Sequence, residues 1–232
     1  MSEPSRKRKR ISYASSPRPM QIDRPLRRPR YKSSSVEKKW FDTALAATTL
    51  DGTGVVLSPS INLVNEGNGV NEMAGRKIVI TRIQLRAIVI KTSSSQALIN
   101  NLDVSSEYRV AIVLDRQCNG AAPTIANIFQ DNDIRTYNNL SQSRRFKILK
   151  EEQGCITAGL TYNNATSVYA SPIARKELII YLKCWYPIMY TDQAGGSRAI
   201  TEILSNNIAI VGHSTSSTCT VQYRARIRFQ DN

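Results

Sequence analysis

The stretch TCTVQYRARIRF, residues 218–229, decides the fold because apolar and polar side chains alternate along it without a break. One set of alternate positions is apolar and consists of Val221, Tyr223, Ala225, Ile227 and Phe229. The other set is polar and consists of Gln222, Arg224, Arg226 and Arg228. Because successive side chains of a β-strand point to opposite faces, this period predicts a strand with one face in the core and one outside it.

The outer face of this predicted strand carries three guanidinium groups in a row. Alternate residues of a strand lie about 7 Å apart, roughly the spacing of successive phosphates on an extended single strand. Arg224, Arg226 and Arg228 are therefore predicted to bind nucleic acid. The alternative is a solvated outer face whose charges protect a sheet edge from pairing with other chains.

Runs of Val, Ile, Leu, Tyr and Thr separated by Gly, Asn, Ser and Pro extend upstream to Lys38, a pattern typical of strands joined by turns. The predicted strands are residues 38–49, 54–58, 76–91, 107–115, 144–152, 175–187, 206–212 and 218–229. One short helix is predicted at residues 123–129. Since no helix alternates with the strands, the pattern excludes parallel α/β folds and favours an all-β sandwich or jelly roll.

The predicted strand at residues 76–91 is apolar on both faces near its ends, for example at Ile78, Val79 and Ile80. Without covering helices, such a segment indicates contact with another subunit or with a covering loop.

Positive charge is concentrated at the N-terminus. Residues 1–40 contain 13 Lys or Arg against 3 Asp or Glu, which leaves +10 of the formal charge of +14 carried by the whole chain. Residues 1–36 are also rich in Ser and Pro and poor in the large apolar side chains that offset the entropy of ordering. We therefore predict a disordered basic arm at residues 1–36 and a single folded domain at residues 37–232.

Such an arm binds nucleic acid without sequence specificity, because each Lys or Arg that meets a phosphate releases condensed counterions. The basic residues predicted to bind nucleic acid, in the arm and in the domain, are Arg6, Lys7, Arg8, Lys9, Arg10, Arg18, Arg24, Arg27, Arg28, Arg30, Lys32, Lys38, Lys39, Arg224, Arg226 and Arg228. Tyr31 and Trp40 are candidates for stacking on unpaired bases, although the preferred interpretation of Trp40, at a strand start, is a core residue.

The run RKRKR, formed by Arg6, Lys7, Arg8, Lys9 and Arg10, is also typical of a nuclear-import signal, so a nuclear import receptor is a predicted partner. The same charged start lacks the apolar region of a signal peptide, and the chain has no apolar window of about eighteen residues. We expect an intracellular protein with no membrane partner.

Catalytic chemistry is poorly represented in the chain. His213 is its only histidine, and neither a nucleophile motif nor a phosphate-binding P-loop occurs. A jelly-roll enzyme of the cupin kind would need several His ligands facing into the barrel. We therefore expect no catalytic residue, no cofactor and no metal site, and a structural role for His213.

Three smaller features have ordinary structural interpretations. Cys118, Cys155, Cys184 and Cys219 are widely spaced, and we expect them to be reduced, buried or half-buried thiols. Asp131 and Asp133 offer oxygen ligands for calcium, but the rest of an EF-hand is missing, so a turn with Asx hydrogen bonds is preferred. Residues 67–69, GNG, are predicted to form a turn.

Four segments in order resemble one family of proteins. They are SSSVEKKWFDTAL at residues 33–45, INLVNEGNGVNEMAGRKIVITRIQLR at 61–86, YRVAIVLDRQCNGAAPTIANIFQ at 108–130 and RRFKILKEEQ at 144–153. Their order and spacing are similar to those of the coat proteins of small eukaryotic circular single-stranded DNA viruses that encode a replication initiator, and of their satellite-virus-like relatives. The resemblance covers nearly the whole chain.

This resemblance implies a single jelly roll of eight antiparallel strands that assembles with copies of itself into an icosahedral shell of about sixty subunits. It also implies that the arm lies inside on a single-stranded genome, expected to be DNA, and that the last strand belongs to the inward-facing sheet. That placement favours the nucleic-acid interpretation of Arg224, Arg226 and Arg228. The expected locations are the virion and, during assembly, the host nucleus.

Charge supports packaging, since about sixty arms with roughly ten charges each bring on the order of 600 positive charges, which partly neutralise a small genome. The alternative is a cellular nuclear or ribosomal protein whose basic tail binds RNA. The two differ in particle size, because only the coat protein forms a megadalton particle.

Overall fold

The computed structural model describes residues 38–92, 94–96, 104–166, 168–192 and 197–231, and these residues form mainly β-strands. In chain order the strands are β1 (Lys38–Thr49), β2 (Val55–Ser58), β3 (Lys77–Lys91), β4 (Ser94–Gln96), β5 (Ser105–Asp115), β6 (Phe146–Thr157), β7 (Thr161–Asn163), β8 (Val168–Ser171), β9 (Ala174–Tyr190), β10 (Ile203–Ser205), β11 (Asn207–Ser214) and β12 (Cys219–Asp231). A helical turn, α1 (Ile125–Ile128), lies within the helix predicted at residues 123–129.

Two antiparallel sheets share one core. The five-stranded sheet has the order β1-β12-β3-β9-β10, and the four-stranded sheet has the order β2-β11-β5-β6. The chain crosses repeatedly between them, since β1, β3, β9 and β12 belong to one sheet and β2, β5, β6 and β11 to the other. This strand order is that of a jelly roll, so the predicted all-β, eight-stranded antiparallel fold is confirmed.

Eight strands, namely β1, β2, β3, β5, β6, β9, β11 and β12, match the eight predicted ones, with ends that differ by at most five residues. The other short strands were not predicted. β4, β8 and β7 form a small third sheet, and β10 pairs with the end of β9. The three-residue strands contain too few alternations to give a readable pattern. The four-residue β8 was missed although β2, which is equally short, was predicted.

The main core lies between the two sheets. The apolar set of β12 is buried as predicted: Val221, Tyr223, Ala225, Ile227 and Phe229. These side chains belong to the same cluster as Ile112 of β5 and Ile210 of β11. Because each large buried side chain stabilises the fold by about 1.5–3 kcal/mol, a one-residue slip of β12 would be costly.

The outer face of the four-stranded sheet is also buried over β11 and much of β5, whereas most of β6 stays exposed or half-buried. Residues 116–145, called the covering segment below, connect β5 to β6 and contain α1. Ile128 and Phe129 of this segment pack with Val113 of β5 and Val211 of β11 in a second buried cluster. As a result β11 is buried along its whole length.

The apolar start of β3 is covered within the chain. Ile78, Val79 and Ile80 are all buried although they follow one another in sequence. The register with β9 shifts between Ile80 and Arg82, and such a bulge lets consecutive side chains find cover. This end of the strand is therefore buried within the subunit itself. At the other end Ile88 is exposed.

Candidate nucleic-acid interface

The exposed face of the five-stranded sheet carries the three arginines of β12. Arg224, Arg226 and Arg228 alternate with buried neighbours and are all exposed, as predicted. Outward positions of β1, β3 and β9 are likewise exposed or half-buried over most of their length. This face is therefore open to a partner.

A row of three cations crosses three strands of this face. Arg228 of β12 lies opposite Arg82 of β3, and Arg82 lies opposite Lys183 of β9. Neighbouring strands are about 4.8 Å apart, so these residues, called the cation row below, form a short line perpendicular to the strands. Arg82 and Lys183 are not among the binding residues predicted from sequence, because the pairing of β3 with β12 and β9 cannot be read from one strand.

The cation row lacks acidic neighbours. Among the residues that the structure describes, no Asp or Glu forms an ion pair with Arg228, Arg82 or Lys183. Like charges directly opposite each other on neighbouring strands are destabilising. The fold thus holds these cations together against their repulsion and concentrates positive potential on one face.

Arg226 is held differently, by an acidic residue on the neighbouring strand. Its Nε and Nη2 donate to Oδ1 and Oδ2 of Asp42 on β1 at 2.7 and 2.6 Å. The hydrogen bond from Arg226 lowers the pKa of the Asp42 carboxyl, and the nearby charge of Arg224 lowers it further. Arg226 is therefore fixed in position and partly neutralised, whereas Arg224 lies opposite another arginine, Arg86.

The two lysines at the start of β1 point in opposite directions. Lys38 is exposed and shares the outward face with Trp40. Lys39 is only 4% exposed, and its Nζ lies 2.8 Å from Oδ2 of Asp231. The structure thus gives no support to the prediction that Lys39 binds nucleic acid, because a buried ammonium group that is already paired is not presented to a phosphate.

Aromatic side chains lie beside the cation row. Trp40 of β1 lies opposite Arg228 and is 42% exposed, so its preferred interpretation as a core residue is wrong. Tyr181 and Trp185 of β9 are 65% and 66% exposed and flank Lys183 in sequence. The hydroxyl oxygen of Tyr181 accepts a hydrogen bond of 3.0 Å from Nε2 of Gln84 on β3.

The arm residues predicted to bind nucleic acid lie outside the described residues. They are Arg6, Lys7, Arg8, Lys9, Arg10, Arg18, Arg24, Arg27, Arg28, Arg30 and Lys32, and Tyr31 lies among them. Their roles, and the boundary between residues 36 and 37, stay predictions.

His213 is a buried structural residue, as expected. It lies on β11, where its ring makes an edge-on contact with Phe129 at a centroid distance of 5.1 Å. Gly54, at φ +80°, approaches so closely that a Cβ atom there would lie 2.2 Å from Nε2 of His213. Burial and the charge of Arg109 lower the pKa of His213 and favour its neutral form.

The two loop features predicted from sequence form turns. Oδ1 of Asp131 accepts a hydrogen bond from the backbone N–H of Asp133, which confirms the Asx turn. In the GNG turn, the backbone N–H of Gly69 donates to the carboxylate of Glu72 at 2.8 Å. Within the described ranges, no cluster of three or more His, Cys, Asp or Glu side chains is placed to hold a metal ion.

The four thiols are unpaired, and three are shielded. Cys118 and Cys219 are buried, and burial raises the pKa of the half-buried Cys184 to about 11. Cys155 is exposed, so the expectation of burial is wrong for this thiol. In the described part of the chain, no helix has the length and apolar character needed to span a membrane.

An eight-stranded jelly roll is an architecture that viral capsid, lectin and cupin domains share. The open, basic outer face of this one fits the class of viral shell proteins. The family model of the satellite tobacco necrosis virus coat protein matches residues 27–179, about two thirds of the chain. The chain therefore belongs to this coat protein family: it is a viral capsid protein, structural and not enzymatic, and a component of the virion. A search of curated proteins gave no match.

This family membership decides between the two functions considered from sequence. It confirms a coat protein, at the level of the satellite-virus-like relatives, over a cellular nuclear or ribosomal protein.

Proposed function

We propose that this capsid protein assembles with copies of itself into an icosahedral shell of about sixty subunits and packages a single-stranded viral genome. The open face of the five-stranded sheet, together with the arm, binds the genome. The observation that carries this proposal is the cation row of Arg82, Lys183 and Arg228, which lacks acidic partners among the described residues.

The electrostatic repulsion among the three cations supports a binding role for this row. Two like charges opposite each other on neighbouring strands destabilise the sheet, and Arg82 has a cation on both sides. If these positions were selected for stability alone, positive and negative charges would alternate across the neighbouring strands. A phosphate chain relieves the repulsion and releases counterions at the same time.

The contrast between the two sheets supports an inward position for the five-stranded one. The four-stranded sheet is already covered by the covering segment. Outward positions of the five-stranded sheet carry basic side chains, namely Lys38, Arg82, Arg86, Lys183, Arg224, Arg226 and Arg228, against the acidic Asp42 and Glu177. A genome inside the shell would meet this excess of positive charge.

The decisive experiment neutralises the cation row and measures packaged nucleic acid. Particles of Arg82→Gln/Lys183→Gln/Arg228→Gln should contain less nucleic acid per subunit, read from the ratio of absorbance at 260 and 280 nm and from phosphate analysis. The matched control is Arg144→Gln/Lys147→Gln/Lys150→Gln, which removes the same charge from exposed positions at and before β6. Equal losses in both variants would show that only net charge matters, and no loss in the first would refute the proposed face.

Deletion of residues 1–36 tests the arm. The truncated domain should fold, because the described strands and both buried clusters lie outside the deleted segment. Its particles should be depleted of nucleic acid. Unchanged content in truncated particles would contradict the role of the arm.

Sizing of the full chain tests assembly, since a stable monomer at high concentration would refute the shell.

We further propose that the genome is single-stranded DNA of a circular, replication-initiator-encoding virus and that assembly occurs in the host nucleus. Nucleic acid extracted from particles should resist RNase and exonuclease and be degraded by DNase. RNase sensitivity would contradict the DNA assignment while leaving the packaging role intact.

The run of Arg6, Lys7, Arg8, Lys9 and Arg10 is proposed to bind a host import receptor. Its neutralisation to Gln in the full chain should abolish nuclear accumulation. A matched variant with Arg24, Arg27, Arg28, Arg30 and Lys32 changed to Gln removes the same charge and should still enter the nucleus. Equal behaviour of the two variants would contradict a specific signal.

A further inference from the structure

Exposed aromatic rings accompany the cations on the five-stranded sheet. The chain has two tryptophans, and both lie on this face: Trp40 is 42% exposed and Trp185 is 66% exposed. Tyr181 is 65% exposed on the same side of β9 as Trp185. Large exposed apolar side chains that cluster mark a binding surface more often than they occur by chance.

The order of side chains along β9 alternates ring, cation, ring. Tyr181, Lys183 and Trp185 are successive outward residues, so their Cα atoms lie about 7 Å apart along the strand. On β1, Trp40 lies opposite Arg228 at the other end of the cation row. Each cation of the row therefore has another cation or an aromatic ring as its neighbour on the same face of the sheet.

Tyr181 is held in place by polar contacts. Its hydroxyl accepts the hydrogen bond from Gln84, and Gln84 lies opposite Arg226, which Asp42 fixes. A groove of about 370 Å³ lies here, lined in part by Tyr181, Gln84 and the cation row. This volume is near the lower end of the range for small-molecule sites, roughly 300–1,000 Å³.

We propose that Trp185, Tyr181 and Trp40 stack on unpaired bases while the cation row binds the adjoining phosphates, so that this face selects single-stranded over duplex nucleic acid. Each base of a single strand offers a free π-face beside a phosphate, which matches rings beside cations. In a duplex those π-faces are already stacked on neighbouring bases. This inference rests on the proposed function, since it requires nucleic acid on the five-stranded sheet.

Tryptophan emission reports on this face alone, even when the arm also binds. In full-length Trp40→Phe, Trp185 is the single remaining tryptophan. A short oligo(dT) should quench its fluorescence. An abasic oligonucleotide of the same length and charge should bind, as followed by anisotropy of a label on it, without that quenching. A duplex of the same length should quench much less than oligo(dT). The reciprocal variant Trp185→Phe tests Trp40 in the same way.

Affinity measurements complete the test. Trp185→Ala and Tyr181→Ala should each weaken binding of oligo(dT) roughly tenfold and leave binding of the abasic strand unchanged. Trp185→Tyr, which keeps an aromatic ring, should retain most of the affinity. The matched control is Tyr137→Ala, which removes an equally exposed ring from the covering segment and should change neither affinity.

The outcomes separate the inference from the proposed function. Loss of oligo(dT) and abasic binding on neutralising the cation row, without any effect of the ring variants, would overturn stacking and keep the face as a phosphate site. No effect of the cation-row variant on either strand would overturn the proposed function itself. Equal quenching by the abasic strand or the duplex would also refute stacking. Concentration-dependent quenching without nucleic acid would refute it in favour of a contact between copies of the chain.

Discussion

The two sheets of this jelly roll use their outer faces in opposite ways. The four-stranded sheet presents apolar residues such as Val113 and Val211, and the chain covers them with its own covering segment. The five-stranded sheet presents cations and rings, led by the cation row of Arg82, Lys183 and Arg228. Side chains on the first face stabilise the subunit, whereas the like charges of the cation row on the second face destabilise it.

Polar contacts follow the same division. On the covered side, the guanidinium of Arg109 is buried, pairs with Glu151, and donates to the backbone oxygens of Ile134 and Thr136. On the open side, the pair of Arg226 and Asp42 is about half exposed. The two outer faces therefore differ in how deeply their ion pairs are buried, and among the described residues the cation row of the open face forms no ion pair.

Removal of a large buried side chain from the covering segment should have the largest effect on stability. Phe129 is fully buried, with its ring centroid 5.1 Å from that of His213 and 4.2 Å from the guanidinium carbon of Arg109. Phe129→Ala should lower the free energy of unfolding by about 3–5 kcal/mol, measured by urea denaturation of unassembled subunits. Tyr181→Ala, on the open face, should change it by less than about 0.5 kcal/mol. Similar losses in both variants would abolish the contrast between the faces.

The base of the covering segment provides a second, smaller test. Asp115 is fully buried and accepts hydrogen bonds from Nε and Nη2 of Arg145 at 2.9 and 2.8 Å. Asp115→Asn should cost about 1–3 kcal/mol, because a buried hydrogen-bonding group loses its charged partner. Hydrogen exchange should accelerate in residues 116–145 more than in the five-stranded sheet.

Asp42→Asn is the matched control for this change. It breaks an equally bidentate pair, that of Arg226, at a half-exposed site, and should cost about 1 kcal/mol or less. A larger loss from Asp42→Asn than from Asp115→Asn would contradict the division between a stabilising and a binding face.

Sequence alone predicted the fold because its long strands alternate in polarity. The buried set of β12 and its exposed arginines were assigned residue by residue, since alternation over many positions leaves one solution. The orientation of side chains at the start of β1 was harder to predict. At the first residues of β1 there is little preceding pattern to set the phase, and so Lys39 was assigned outward and Trp40 inward.

The candidate site was only half predictable. The arginines of β12 follow from their own strand, but Arg82 and Lys183 join them through the pairing of β3 with β12 and β9. These strands are far apart in sequence, and a single sequence taken alone does not reveal which strands are neighbours. The exposed rings of β9 were missed for a related reason, because Trp and Tyr in a strand are more often buried than presented to a ligand.

Acidification should weaken the covered side first. The neutral ring of His213 is buried against Phe129, and the charged groups that act on it are Arg109 of β5, Asp51 before β2 and Asp133 of the covering segment. Burial and Arg109 lower its pKa from the ordinary 6.5. The unfolded chain therefore binds a proton at a higher pH than the folded one, so stability is full above pH 6.5 and declines as pH falls through the lowered value.

The chain has a single histidine, so His213→Phe removes the one His titration while leaving the carboxylates unchanged. We expect the free energy of unfolding of the natural chain to begin to fall as the pH drops below the ordinary His value of 6.5, before most carboxylates titrate. The variant should show a flatter profile there, whatever its absolute stability. Parallel profiles would contradict the role of His213.

Neutralisation of the cation row should have the smallest effect on stability, and one of opposite sign. Arg82→Gln removes repulsion from both Arg228 and Lys183, so the free energy of unfolding should rise by about 0.2–1 kcal/mol in low salt. The gain should shrink as salt screens the charges. Lys147→Gln, at an exposed position of β6, is the control and should change little. A salt-independent loss of stability in Arg82→Gln would show that packing of the arginine stem outweighs its charge. A gain in stability combined with weaker nucleic-acid binding would mean that the same charges which destabilise the free subunit provide its affinity for a polyanion.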